Sequence, residues 1–125
     1  MATRQDPRSV QRGEAQALPS DYVPNVDRTY GQVLTATVPA ASWVESWFSL
    51  VSLKGHLQSV PTFSGLQVWA APGEDGNYRV TTICSWDSYD ALEQWLATGW
   101  TVRSVLLAMN PPAVDIVSET REEVT

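Results

Sequence analysis

Cysteine and histidine are almost absent from this 125-residue chain: Cys84 and His56 stand alone. A single thiol forms no intrachain bridge, and two soft ligands do not close a tetrahedral shell, which excludes a disulfide scaffold and the usual zinc site. Cations are scarce too. Eight Lys plus Arg face fourteen Asp plus Glu, and the resulting charge of −6 opposes a nucleic-acid or anionic-membrane partner, either of which needs a basic face. No apolar run approaches the length that spans a bilayer, and the residues after Met1, from Ala2 to Pro7, lack the apolar core of a targeting signal. A soluble, cytoplasmic protein is expected, its sole thiol fitting a reducing compartment. Glycine-rich phosphate loops, nucleophile elbows and metal-ligand spacings are missing as well.

What is present is enough for a core: 43% of the residues are hydrophobic and only 18% charged, the balance of one small globular domain. Residues 1–28 differ from the rest. They are rich in Pro, Gln and Ser, show no helical or strand period, and balance Arg4, Arg8, Arg12 and Arg28 against Asp6, Glu14, Asp21 and Asp27. This stretch reads as a mobile leader, residues 29–118 as the folded domain, and 119–125 as an acidic tail.

Within the domain, Tyr30 to Val38 carries acceptable strand residues on both faces, so neither face looks made for water. Pro39 stops it. Ser42 followed by Glu45 forms a capping-box pair at a helix start, and Val44, Trp47, Phe48 and Val51 fall at i, i+3, i+4 and i+7, a stripe expected to lie against a sheet until the helix weakens at Gly55. Pro61 to Gly65 turns into a short strand over Leu66 to Ala71. The loop Pro72 to Asn77 then leads to a strand over Tyr78 to Trp86, with Tyr78, Val80, Thr82, Cys84 and Trp86 on one face. Asp87 or Ser88 caps a second helix marked by Tyr89, Leu92, Trp95 and Leu96, interrupted at Gly99. Val102 to Met109 adds a turn or two of helix, Pro111 and Pro112 end it, and Ala113 to Ser118 closes as a strand.

The order strand, helix, strand, strand, helix, strand is that of an α+β, ferredoxin-like split βαβ sandwich with both helices on one face of an antiparallel sheet. Its other face needs a cover. Since both faces of the first strand read as buried, the simplest cover is the same sheet from a second copy, giving a homodimer.

The run from Tyr78-Arg79-Val80-Thr81-Thr82-Ile83-Cys84-Ser85-Trp86 through Asp87-Ser88-Tyr89-Asp90-Ala91-Leu92-Glu93-Gln94-Trp95-Leu96 resembles the central segment of the antibiotic biosynthesis monooxygenase superfamily. In that pattern a strand ends in Trp, an Asp/Ser cap follows, and the helix carries a second aromatic. Val60-Pro61-Thr62-Phe63-Ser64-Gly65 resembles the family's turn between first helix and second strand, with Thr62 where Gly usually follows Pro. The resemblance spans roughly residues 30–118 and implies a dimeric α+β barrel. Its haem-degrading branch carries a histidine after the second helix and an asparagine on the first strand. Neither stands here, so haem is not implied and no cofactor is expected. Other relatives are cofactor-free oxygenases of aromatic polyketides, cyclases, and small proteins without established activity.

Six tryptophans offer aromatic surface for a flat ligand. The resemblance puts Trp86 at the mouth of the cleft between sheet and helices; Trp47, Phe48, Trp95 and Trp100 are candidates for the same lining, while Trp43 and Trp69 suit the surface or an interface. Without metal or flavin, oxygen chemistry must use the substrate's own electrons: an acidic phenol or anthrone loses a proton, and its anion reduces dioxygen. His56 is the one imidazole available as the base, Arg103 is a cation fit to stabilise an enolate or phenolate, and Tyr30 and Tyr78 are hydrogen-bond donors for a phenol or quinone oxygen. Cys84 reads as a small apolar side chain. The expected activity is a cofactor-independent monooxygenase converting a phenolic or anthrone-like polyketide to a quinone in natural-product biosynthesis. The alternatives are a polyketide cyclase or dehydratase of the same fold, and a non-catalytic dimeric module that binds a small hydrophobic ligand.

Overall fold

The computed structural model of the chain describes residues 29–124. The leader proposed for residues 1–28 lies outside the described residues. β1 (Tyr30–Val38) ends at Pro39 and a 3-10 turn (Ala40–Ser42), and α1 follows over Trp43–Leu57. β2 (Phe63–Pro72) and β3 (Tyr78–Trp86) form a hairpin, α2 (Tyr89–Ala97) and the short α3 (Val102–Leu107) come next, and β4 (Val114–Glu122) completes the sheet. The four strands lie in the order β2-β3-β1-β4, every neighbouring pair antiparallel, an α+β arrangement compatible with a ferredoxin-like fold. Among the described residues, no helix is long and apolar enough to cross a membrane.

The period of two sorts the faces as expected. Tyr30, Leu34, Ala36 and Val38 of β1 point to the helical side with Val80, Cys84 and Trp86 of β3, and all are buried. Leu50, Leu53, Leu57, Leu92, Trp95, Val102 and Leu106 meet them from the helices. The opposite face carries Val33, Thr35, Thr81, Ile83 and Trp69, the last 64% exposed, with an ion pair of Glu119 and Arg121 on β4.

Three local readings are corrected. Val44, Trp47, Phe48 and Val51 do not form the face buried on the sheet: they are 64, 46, 61 and 49% exposed, and α1 instead buries Ser46, Leu50, Leu53 and Leu57. Both stripes have helical spacing, so periodicity alone leaves open which one faces inward. The three leucines pack against the sheet's interior, while the aromatic stripe points away from it. Ser42 makes no capping bond to the helix. Its Oγ donates to the Pro111 carbonyl at 2.8 Å, tying the start of α1 to the loop before β4, and the helix continues through Gly55 to Leu57. Finally, β4 runs beyond Ser118 to Glu122, with Glu119, Thr120 and Glu122 buried, because β1 offers paired backbone as far as Tyr30. The charged sequence after Ser118 hides a strand whose partner is remote in the chain.

Candidate functional site

Trp86 is the last residue of β3, the strand flanked by β1 and β2, and sits opposite Tyr30 on one side and Phe63 on the other. Its indole meets the Phe63 ring edge-on at 5.4 Å. The chain leaves β3 by a fixed route: Asp87 N–H donates to the Thr62 carbonyl at 3.0 Å, and the Ser88 hydroxyl accepts from Ala91 N–H as the N-cap of α2. This cap starts the helix where its face carrying Ala91, Gln94, Trp95 and Thr98, at i, i+3, i+4 and i+7, turns toward Trp86. After α2, Thr98 Oγ1 donates to the Trp95 carbonyl at 2.6 Å and accepts from Trp100 N–H at 3.1 Å. Gly99 takes a φ of +75°, a left-handed conformation that favours glycine, and Thr101 caps α3 through a reciprocal pair with Ser104.

These elements enclose a cavity of about 250 Å³. Its floor is apolar and buried, with Trp86 at 2% and Trp95 at 4% exposure beside Leu57 and Ala91. Its rim is exposed and bears Gln94, Thr98, Trp100 and His56, whose imidazole meets the Trp100 ring edge-on at 4.6 Å. His56 is the one ionisable side chain in this lining. The two floor indoles lie 5.5 Å apart and both Nε1 atoms are buried; that of Trp95 has no hydrogen-bond partner, and that of Trp86 has only the sulfur of Cys84. Cys84, next along the same face of β3, is at most a weak acceptor. Burial pushes its thiol up to about 12, against the smaller, opposite effect of a hydrogen bond with the Trp86 side chain, so it stays protonated and is no nucleophile.

The other candidates stand elsewhere. Tyr30 is fully buried away from the cavity lining, its hydroxyl donating to Glu122 Oε2 at 3.1 Å and its ring edge-on to Tyr89. Burial pushes the Tyr89 hydroxyl up to about 12, with a hydrogen bond to Glu93 and the nearby acidic groups acting in the same direction. Tyr78 stacks on Trp43 at 4.5 Å, near the opposite end of β3. Trp47 and Phe48 meet each other edge-on, on the outer face of α1. Arg103, on α3, does not line the cavity, and its Nη1 is buried without a partner. The structure thus gathers His56, Trp86, Trp95 and Trp100 in one lining, which Arg103, Tyr78, Trp47, Phe48 and Tyr30, the cross-strand neighbour of Trp86, do not join.

Sequence reasoning missed Ala91, Gln94, Thr98, Thr62, Leu57 and Val60, which complete the lining. The α2 face shared by Ala91, Gln94, Trp95 and Thr98 has a regular period, but its mixed polarity hides it from a search for apolar stripes. No protein-family model, curated protein or solved structure matches the chain.

Proposed function

We propose that this cavity binds a small aromatic polycycle bearing an oxygen acceptor, and that the protein is a cofactor-independent monooxygenase turning an anthrone-like or phenolic polyketide into a quinone. The observation that carries this reading is the buried Trp95 indole N–H, left without an acceptor at the floor of an aromatic cavity beside a Trp86 N–H that has only the weakly accepting Cys84 sulfur. Buried donors are ordinarily satisfied, and a ligand carbonyl or phenolate oxygen reaching them after a small ring adjustment supplies what the protein withholds. The indole faces give such a ligand stacking surface.

In this reading His56, at the rim, takes the proton from the acidic carbon or hydroxyl of the bound substrate. The delocalised anion passes one electron to dioxygen, and the superoxide and substrate radicals combine at the deprotonated carbon. The resulting hydroperoxide loses water to leave the new carbonyl. One oxygen atom of dioxygen enters the product and the other leaves in water, so an anthrone plus dioxygen balances as a quinone plus water. The protein contributes position, dryness and a base. The half-buried apolar residues Val33, Ile83 and Val117 on the opposite face of the sheet support pairing with a second copy there, in the manner of a dimeric α+β barrel.

A hydrophobic-ligand module using the same cavity is the second reading, favoured by Arg103 standing outside the lining. Oxygen uptake with an anthrone separates the two. The enzyme consumes oxygen above the buffer rate, and His56→Ala lowers turnover at least tenfold while the ligand still quenches tryptophan fluorescence. Uptake at the buffer rate across several polycycles, with quenching retained, overturns the oxygenase in favour of the binder.

A further inference from the structure

A helix on a sheet needs one apolar face, and α1 already has one in Leu50, Leu53 and Leu57. Its second stripe, Val44, Trp47, Phe48 and Val51, keeps about half or more of its surface in water. Single exposed apolar residues are ordinary, but a contiguous stripe of this size is not. Two of its residues, Trp47 and Val51, border a groove of about 160 Å³ between α1 and β2 that Leu66 and the partly exposed Val68 line from the strand.

The strand bordering that groove is also unguarded. Among the described residues β2 pairs only with β3, and its ten residues, Phe63–Pro72, include no charged side chain. Edge strands are ordinarily protected by charges, prolines or bulges. Here Pro72 and the irregularity at Phe63/Gly65 mark only the ends, leaving Leu66 to Ala71 as a clean edge.

We infer that the outer face of α1 and the free edge of β2 together form a docking surface for a second copy of this chain. Charge and geometry select that occupant. On a chain of net charge −6, α1 and β2 carry one acid, Glu45, against one base, Lys54, so a like-charged copy meets least repulsion here. A two-fold axis normal to the sheet at the β2 edge pairs β2 with its own copy, antiparallel, and sets the two α1 helices side by side with Trp47 and Val51 turned inward. One operation thus covers both exposed features. From their fractional exposures, the four stripe residues and Val68 leave roughly 400–500 Å² of apolar surface in water, about half of the ~800 Å² per partner of a standard interface. This contact is separate from pairing through the opposite face of the sheet.

Mass measured in solution by light scattering and native mass spectrometry tests it. The wild-type chain is expected to exceed its single-chain 13.8 kDa. Phe48→Glu and Val68→Lys, both at exposed sites, are each expected to halve the assembly while keeping the far-ultraviolet dichroism of the fold. In the wild type, backbone amides between Leu66 and Ala71 are expected to exchange more slowly as protein concentration rises. A wild-type chain of single-chain mass, or folded variants whose mass matches the wild type, overturns the inference. Ile83→Glu, on the other face, keeps the two contacts distinguishable. If it alone lowers the mass, sheet-face pairing stands and the α1–β2 contact falls; if only Phe48→Glu and Val68→Lys do so, the reverse holds.

Discussion

Trp86 and Trp95 face each other across the cavity floor with ring centroids 5.5 Å apart and planes inclined by 33°; the Trp95 N–H has no acceptor and the Trp86 N–H has only the Cys84 sulfur. Two donors from elements joined only through the Asp87–Ser88 corner are thereby held, closed to water, within one small volume. A buried donor left unmade costs about 1–3 kcal/mol, so the Trp95 N–H is a local liability that a ligand acceptor relieves.

Trp95→Phe is expected to change stability little. It removes the orphan donor along with part of the ring area, two effects of opposite sign and similar size, roughly 1–3 kcal/mol each. Affinity for a quinone should fall about fivefold or more. Urea unfolding and fluorescence titration check the two halves; unchanged affinity would show that the indole donor plays no part in binding.

Alkaline stability should depend on Cys84. Its thiol titrates near 9.0 in the unfolded chain and is pushed up to about 12 by burial in the fold, so the folded state holds its proton more tightly. The associated stability is fully present below pH 9 and is lost as pH rises from there toward 12, at up to ~1.4 kcal/mol per pH unit. Tyr89, raised to about 12 from an ordinary 10.0, adds to the loss over the upper part of that window. Denaturant melts between pH 8 and 11 should show a shallower decline in Cys84→Ala; identical slopes would refute the burial argument.

The two faces of α1 should respond differently to truncation. Leu50→Ala removes a fully buried side chain and is expected to cost about 2–5 kcal/mol, whereas Val44→Ala, in dilute protein, should shift stability by less than ~0.5 kcal/mol. Equal costs would mean that the helix is rotated from the orientation described above.

Ser88→Ala removes the side chain that accepts from Ala91 N–H at the start of α2. A loss of about 0.5–2 kcal/mol is expected, with weakened ligand binding because the same turn sets the direction of Trp95. Ser88→Asp should restore both, since a carboxylate accepts the same bond; failure of that rescue would separate the cap from the site.

Much of this was legible in local sequence. Alternation over Tyr30–Val38 and Tyr78–Trp86 gives two strands with the observed bounds, because a period of two and the stops at Pro39 and Asp87 are local features. Ser88 ahead of an apolar period marks α2 for the same reason. The site was legible only in part: Trp86, Trp95, Trp100 and His56 were singled out, yet with Tyr30, Tyr78, Trp47, Phe48 and Arg103, which lie elsewhere. A residue type suggests chemistry, but its address depends on how an element is turned.

The chain by itself therefore determined the elements and their order, since capping, breaking and hydrophobic period act over a few neighbouring residues. Tertiary packing alone decided which stripe of α1 is inside, that β4 continues through Glu119 and Glu122, and that four aromatic or imidazole side chains from four segments share one cavity. Those outcomes depend on volume and on backbone partners remote in sequence: Leu50 and Leu53 pack into the interior beneath the sheet, while the aromatic stripe turns outward, and β1 supplies the ladder that draws an acidic segment into the sheet.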